Sequence, residues 1–212
     1  IYNFSLSHGG TKLLAMGSFL SIGGVNRQQI VMIDLGASSA TLDAWSSPDF
    51  QKACTSSEPL WDKGAGWSPD DQSVYIATTG YRGASPLCDA TAKFSAAANS
   101  NLLPVWVNLT GCDSLYTVVA DDTNVYVGGH QRWLGNPNGC DAAGPGAFSR
   151  PGVGSLSAAN GSVLPWNPTR ARGHGADDLL LTPAGLWVAS DTYDSSTSCG
   201  GKYHPGICFF PR

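Results

Sequence analysis

The sequence predicts an all-β protein with the architecture of a β-propeller built from four-stranded antiparallel blades. The first observation is a strand–turn–strand pattern that occurs four times along the 212 residues. The second is a composition of 26 Gly and 13 Pro, which suits many tight turns because Gly reaches positive φ and Pro fixes φ near the turn value. The third is that no stretch sustains the apolar period of an amphipathic helix.

Each repeat begins with a short strand, a polar turn and a second strand. The first apolar residue of the second strand occupies an equivalent position in every repeat: Leu13, Val74, Val125 and Leu186. A tryptophan closes the last strand in three of the repeats: Trp45, Trp106 and Trp166. Matched turns, strands and tryptophans predict four copies of one structural unit.

These copies set the domain organisation. We expect one propeller-like domain, 1–212, with repeats at 1–50, 64–108, 114–168 and 177–212. Four strands in roughly fifty to sixty residues is the size of a propeller blade. The fourth repeat ends after its third strand, which fits either a four-bladed ring closed by its own termini or part of a larger propeller, and we favour the larger one. A β-sandwich with chance internal similarity is the alternative.

Charge and hydropathy exclude two classes of partner. The formal net charge is −4 and charged residues make up 13% of the chain, so no basic face indicates nucleic acid. No apolar run approaches the roughly 20 residues that a membrane span needs. We therefore expect neither nucleic-acid binding nor membrane insertion.

The six cysteines predict disulfides and an oxidising compartment. No C-x-x-C motif is present, which argues against a zinc knuckle or a redox site. Six cysteines allow about fifteen sets of pairings. Equivalent positions one repeat apart favour Cys54–Cys88 and Cys112–Cys140, which leaves Cys199–Cys208 as the third pair. Three sequons fit a secreted, glycosylated protein: Asn3, Asn108 and Asn160.

The loops that follow the second strand of each repeat hold the candidate ligand-binding residues. They combine hydrogen-bonding groups with aromatic faces, which is the chemistry of a sugar site. The candidates are His130, Arg132, Trp133, Tyr81, Asp191 and Tyr193. Two structural alternatives stay open: the aromatics form a hydrophobic girdle, or Trp133 packs beneath its loop while Arg132 pairs with Asp141.

Catalytic and metal-binding motifs are scarce. No nucleophile elbow, Walker loop, His-Glu-x-x-His or dinucleotide fingerprint occurs. Glu58 is the sole glutamate, so a glycosidase would have to use aspartates, for example Asp191 with one from another repeat. No cofactor is expected, and calcium is unsupported because neither an EF-hand nor a nonapeptide pattern is present.

Several segments together resemble secreted β-propeller-like repeat proteins of actinobacteria, a family without an assigned activity. The most specific are VYVGGHQRWL at 125–134 and LPWNP at 164–168, and the similarity extends over nearly the whole chain. The resemblance implies the C-terminal part of a longer repeat region and transfers no catalytic residue. Cys112 and Cys140 stand where we expect other residues in such relatives.

The sequence thus predicts an extracellular binding module for a glycan or a cell-surface partner, with the site on one rim. A polysaccharide hydrolase that uses aspartates is the first alternative. A purely structural module within a larger secreted protein is the second. An aspartate pair facing one cleft with a raised pKa would favour the hydrolase, whereas an exposed aromatic platform without such a pair would favour binding.

Overall fold

The computed structural model describes residues 1–81, 85–170, 175–190, 199 and 206–212. Within these residues the chain is all-β, with antiparallel sheets and no α-helix, which confirms the predicted fold class at that level. One 3₁₀ turn, Pro48–Gln51, begins where the Ser47 hydroxyl accepts a hydrogen bond from the Asp49 amide. No helix in these ranges has the length and apolar character required to cross a membrane.

Two sheets contain four strands each. Sheet 1 has the spatial order β1-β2-β5-β6, with strands β1 (Asn3–Leu6), β2 (Lys12–Met16), β5 (Ile30–Leu35) and β6 (Ala40–Leu42). A small hairpin precedes β5 in the chain, formed by β3 (Ser21–Ile22) and β4 (Val25–Asn26). Sheet 2 has the order β7-β8-β9-β10, with strands β7 (Trp61–Trp67), β8 (Ser73–Thr79), β9 (Ala90–Ser95) and β10 (Trp106–Leu109).

The next two sheets contain three strands each. Sheet 3 pairs β11 (Leu115–Ala120), β12 (Asn124–Gly129) and β15 (Val153–Ser157). The long loop between β12 and β15 carries a hairpin of β13 (Trp133–Leu134) and β14 (Phe148–Ser149). Sheet 4 pairs β16 (Asp178–Thr182), β17 (Gly185–Ala189) and β18 (Ile207–Pro211).

The third repeat differs from the four-strand expectation. Its last strand is reduced to one bridge between Leu156 and Val163. Pro165 and Pro168 follow closely, and a proline has no backbone N–H to donate to a ladder. The segment that ends at Trp166 therefore runs beside the sheet without joining it as a strand.

The four sheets pack face to face in chain order. Because alternate residues of a strand point to opposite faces, one strand can contribute side chains to the cores on both sides of its sheet. In β8, Val74 and Ile76 join the core shared with sheet 1, whereas Tyr75 and Ala77 join the core shared with sheet 3. β12 divides its apolar residues in the same way between sheets 2 and 4. Sheets 2 and 3 are thereby covered on both faces.

The first strands of successive sheets also touch each other: β1 lies against β7, β7 against β11, and β11 against β16. Two glycines allow the closest of these approaches. A Cβ atom on Gly64 would lie 2.6 Å from the Tyr116 carbonyl oxygen, and one on Gly66 would lie 2.7 Å from that of Val118. Any side chain at these two positions would push β7 away from β11.

Tryptophan side chains tie each of the first three sheets to a neighbour. The Trp45 indole donates to the Ser95 carbonyl at 2.8 Å, which joins sheet 1 to sheet 2. The Trp106 indole donates to the Ala158 carbonyl at 3.3 Å, which joins sheet 2 to sheet 3. The Trp166 ring packs edge-on against Tyr126 of sheet 3 and Phe210 of sheet 4, so all three tryptophans that close the predicted repeats contact a neighbouring sheet.

The structure has three disulfides, Cys54–Cys88, Cys112–Cys140 and Cys199–Cys208, the pairs that repeat symmetry favours. Each of the first two joins the segment before a sheet to the loop that follows that sheet's second strand. Restricting the unfolded chain in this way stabilises by about 2–4 kcal/mol per bridge. The prediction of disulfide bonding is confirmed.

The three sequons occupy different environments. Asn3 and Asn160 are exposed. Asn108 is buried, and its amide nitrogen donates to the Gly161 carbonyl at 2.9 Å while its amide oxygen accepts from the Gly135 N–H at 2.9 Å. The Asn108 side chain is thus used inside the fold, between sheet 2 and the loops of sheet 3.

Candidate functional site

An open cavity of about 230 Å³ lies between the end of the second strand of sheet 2 and the segment that precedes the first strand of sheet 3. Antiparallel pairing brings the start of a first strand next to the end of the second strand, so the segments before β7 and β11 reach the same rim. The residues that line the cavity are Glu58, Trp61, Thr79, Gly80, Tyr81, Asp89, Cys112 and Ser114. The candidate site is this cavity and its immediate surroundings.

Aromatic faces and oxygen acceptors line the cavity together. Tyr81 is 53% exposed, Trp61 is half-buried, and the carboxylate of Glu58 is exposed beside them. The hydroxyl groups of Thr79 and Ser114 are hydrogen-bonded to each other across the two sheets. Flat apolar faces beside hydroxyl and carboxylate oxygens can stack on a ring and accept hydrogen bonds from a ligand's hydroxyl groups.

Asp89 forms a buried part of the cavity wall. One carboxylate oxygen accepts from the Gly80 N–H at 3.1 Å and lies 3.5 Å from the Thr79 hydroxyl, while the other has no partner among the described residues. Burial raises the pKa of Asp89 to about 7, the Gly80 N–H opposes this rise, and the nearby charge of Asp113 adds to it. Asp89 is therefore largely neutral below neutral pH.

This raised pKa predicts that stability falls with increasing pH. Folded Asp89 keeps its proton up to a pH of about 7, whereas the unfolded chain releases it near pH 4. The folded state consequently loses stability relative to the unfolded state across that window, by roughly 1.4 kcal/mol for each unit between the two pKa values. Asp62 adds to the decline, because complete burial raises its pKa well above the usual range.

The measurement is the free energy of unfolding from urea titrations between pH 4 and pH 8. Asp89→Asn should flatten the decline and make the variant more stable than the parent at pH 8, because the neutral amide replaces a buried carboxylate. An Asp89→Asn variant that declines as steeply as the parent would show that Asp89 is not the group responsible.

Arg132 is held by an ion pair beside the cavity. Its Nε lies 3.1 and 2.9 Å from the two carboxylate oxygens of Asp113, its Nη2 lies 2.6 Å from Asp113 Oδ1, and both side chains are mostly buried. A weaker contact of 3.1 Å reaches the exposed carboxylate of Asp141. The expected Asp141 pairing is therefore present, but Asp113 is the principal partner, and it uses the guanidinium edge that a ligand would need.

Trp133 and His130 lie beside the cavity and do not line it. Trp133 belongs to β13, and its ring stacks under the Arg132 guanidinium with 4.5 Å from carbon to ring centroid. His130 is exposed; its ring packs edge-on against Tyr116, with Nδ1 3.2 Å from the phenolic oxygen. Its backbone N–H donates to the carbonyl of Ser114, which does line the cavity.

The Cys112–Cys140 disulfide connects the predicted residues to one another. The Tyr81 hydroxyl lies 3.5 Å from Cys140 Sγ, and Arg132 Nη2 lies 3.5 Å from the Cys140 carbonyl oxygen. Tyr81, Arg132 and Trp133 are thus neighbours on one rim, although they come from two sheets. Asp191 and Tyr193, the other two predicted residues, lie outside the described residues.

Three residues of the site were missed from the sequence: Glu58, Trp61 and Asp89. Trp61 and Glu58 come from the segment before β7, and Asp89 follows the disulfide-bonded Cys88. The sequence carries one signal for Glu58 and Trp61, because antiparallel pairing places the start of a sheet's first strand beside the end of its second strand. Asp89 has φ of +51°, a left-handed conformation that Asp tolerates, and sequence pattern does not mark it.

The described residues contain no group of three or more His, Cys, Asp or Glu side chains that could hold a metal ion. Comparison of the chain with protein-family models and with curated protein sequences finds no match. The chemistry of the rim cavity is therefore the basis for assigning a function.

Proposed function

We propose that this chain is an extracellular, propeller-like module that binds a neutral glycan in the rim cavity between sheets 2 and 3. One observation carries the proposal: two accessible aromatic rings, Trp61 and Tyr81, and the exposed carboxylate of Glu58 line the same open cavity. Sugars present an apolar ring face and several hydroxyl donors, and this pairing of aromatic faces with oxygen acceptors complements both.

The architecture supports the propeller part of the proposal. Four antiparallel sheets pack face to face in chain order, and their first strands touch in succession. A second cavity is lined by the first strands of all four sheets, from Leu6 in β1 to Leu180 in β16. First strands that share one central space are the arrangement expected of blades around an axis.

The extracellular part rests on the disulfides, which persist in oxidising compartments. The choice of a neutral ligand rests on charge. The described residues that line the rim cavity include two acidic side chains and no Lys or Arg, so an anionic ligand would meet oxygen acceptors. At about 230 Å³ the cavity is smaller than the roughly 300–1,000 Å³ typical of drug-sized ligands. It suits one sugar residue at a time of a longer glycan.

A hydrolase is the second candidate, and Asp89 is the observation that favours it. Its pKa of about 7 is suitable for a general acid, and Glu58 lines the same cavity as a second carboxylate. Burial argues against it, because Asp89 is 1% exposed and cannot approach a glycosidic oxygen without a rearrangement of the wall. Binding without cleavage is therefore the function that this geometry supports best.

The test is a panel of neutral and anionic glycans presented to the purified chain, read out both as retained protein and as released sugar. We expect retention on a neutral glycan with no release. Tyr81→Ala and Trp61→Ala should each weaken binding at least tenfold, which corresponds to about 1.4 kcal/mol. Trp133→Ala should have a smaller effect, because Trp133 stacks on Arg132 outside the cavity.

Phe148→Ala is the matched control, since Phe148 is an exposed aromatic residue that does not line the cavity. Its affinity should equal that of the parent. Sugar release that Asp89→Asn abolishes would establish the hydrolase instead. Retention on no glycan, or binding unchanged in both Tyr81→Ala and Trp61→Ala, would refute the proposed site.

A further inference from the structure

Among the described residues, the two sheets at the ends of the stack each have an apolar face on which no further sheet packs. In sheet 4, residues that pair across the strands share a face, so Leu180, Trp187 and Phe209 lie side by side, with Ala189 and Ile207 next to them. Leu180 is 62% exposed and Trp187 40% exposed. We call these five residues the outer face of sheet 4; the carboxylate of Asp178, which pairs with Ala189, borders them, and a cavity of about 250 Å³ lies against the face.

Sheet 1 presents a corresponding surface at the other end. The set of residues opposite the buried core consists of Phe4, Leu6, Leu13, Ala15, Val31, Ile33 and Leu42; Ala15 and Val31 are buried, and the other five are partly or largely exposed. Phe4 is 59% exposed and Leu6 is nearly as open. We call this set the outer face of sheet 1; every one of its members is apolar.

The repeat shows which surfaces these faces resemble. Trp187 directly follows Leu186 in β17, as Tyr75 follows Val74 in β8 and Tyr126 follows Val125 in β12. Tyr75 packs in the core between sheets 2 and 3, and Tyr126 packs in the core between sheets 3 and 4. In sheets 2 and 3, the face equivalent to the outer face of sheet 4 therefore packs against the next sheet along the chain.

The outer face of sheet 1 is the opposite half of that contact. Leu13 is equivalent to Val74, which faces sheet 1, and to Val125, which faces sheet 2. Sheets 2, 3 and 4 use this position to pack on their predecessor. The two outer faces thus correspond to the two halves of one kind of sheet–sheet interface. The outer face of sheet 4 matches the half that packs on the next sheet, and the outer face of sheet 1 matches the half that packs on the previous sheet.

We propose that the outer face of sheet 4 of one copy of this chain binds the outer face of sheet 1 of a second copy. The contact continues the sheet-on-sheet packing that already joins the four sheets within a copy. Two copies joined at both ends place eight sheets around one axis, within the range of about four to eight blades that propellers have. A contact of this head-to-tail kind uses two different faces, so each can be disrupted separately.

The test is the mass of the purified 212-residue chain by sedimentation equilibrium over a range of micromolar concentrations. A species of twice 22.1 kDa is expected for the parent. Leu180→Glu and Phe4→Glu should each weaken association at least tenfold, because each places a charge in an apolar contact. Both residues are largely exposed, so the variants should keep the parental circular dichroism, and their urea midpoint should match that of the parent at concentrations where the parent is dissociated.

Mixing the two variants separates head-to-tail pairing from other arrangements. A Leu180→Glu copy keeps an intact sheet 1 face and a Phe4→Glu copy keeps an intact sheet 4 face, so the mixture should form heterodimers through one intact contact. Leu103→Glu is the control, since Leu103 is 69% exposed and belongs to neither face.

A parent that stays monomeric at all concentrations would overturn the proposal and leave the two faces for a partner other than this chain. A dimer that survives either single variant, or a mixture that does not associate, would overturn the head-to-tail arrangement. Glycan binding at the rim involves neither face, so either proposal can fail without the other.

Discussion

Trp45→Ala should lower the free energy of unfolding by about 3–5 kcal/mol, as large-to-small substitutions of buried aromatic residues do. The Trp45 side chain is completely buried between sheets 1 and 2. Its ring lies 5.8 Å from that of Phe50 and 5.9 Å from that of Phe94, centroid to centroid. Truncation leaves a cavity among these rings and removes the indole donor from the Ser95 carbonyl.

Urea unfolding at neutral pH measures this effect. Trp45→Phe retains an aromatic ring and loses only the indole donor and part of the volume, so it should fall between the parent and Trp45→Ala. Leu103→Ala, at a largely exposed site, should stay within about 0.5 kcal/mol of the parent. A loss below about 1 kcal/mol for Trp45→Ala would mean that sheets 1 and 2 do not depend on this contact.

Asp113→Ala should also destabilise the chain by about 3–5 kcal/mol, because it leaves the Arg132 guanidinium mostly buried without its principal partner. Asp113 accepts from Arg132 Nε and Nη2 and also from the Arg132 backbone N–H at 2.8 Å. The loss therefore removes charge-assisted hydrogen bonds and leaves a poorly hydrated cation at the rim.

Asp141→Ala is the matched control for this prediction. Asp141 contacts the same guanidinium, but its side chain is 87% exposed, so its removal should change stability by no more than about 1 kcal/mol. The double variant Asp113→Ala/Arg132→Met should recover part of the loss, because no buried charge then lacks a partner. Equal losses in Asp113→Ala and Asp141→Ala would show that burial does not distinguish the two contacts.

Much of the strand pattern follows from the sequence. The polar turns at 8–10, 69–71, 121–123 and 183–185 separate the paired strands, and the apolar residues that follow each turn alternate between the two faces of the sheet. The end of the third repeat could have been foreseen as well, because Pro165 and Pro168 cannot donate to a ladder. Local turn chemistry and strand alternation act over a few residues, so they can be read directly.

The candidate site was predicted less completely. The loop at Gly128–Trp133 was identified, yet the cavity is formed mainly by the segment before β7 and by Tyr81. Which loops meet depends on how sheets 2 and 3 stack, and that packing is not encoded in the spacing of any one motif. The partner of Arg132 shows the same limit: Asp141 is close in sequence, whereas Asp113 is brought close by the pairing of β11 with β12.

The most direct test of the proposed glycan site is a ¹H–¹⁵N spectrum of the chain, recorded during titration with the neutral glycan that it retains. Seven tryptophans give seven indole N–H signals. Binding in the rim cavity should shift the Trp61 indole signal with the bound fraction, while the signals of the buried Trp45 and of Trp187, on the outer face of sheet 4, stay in place. Saturable binding that leaves the Trp61 signal unmoved would contradict a site in the rim cavity.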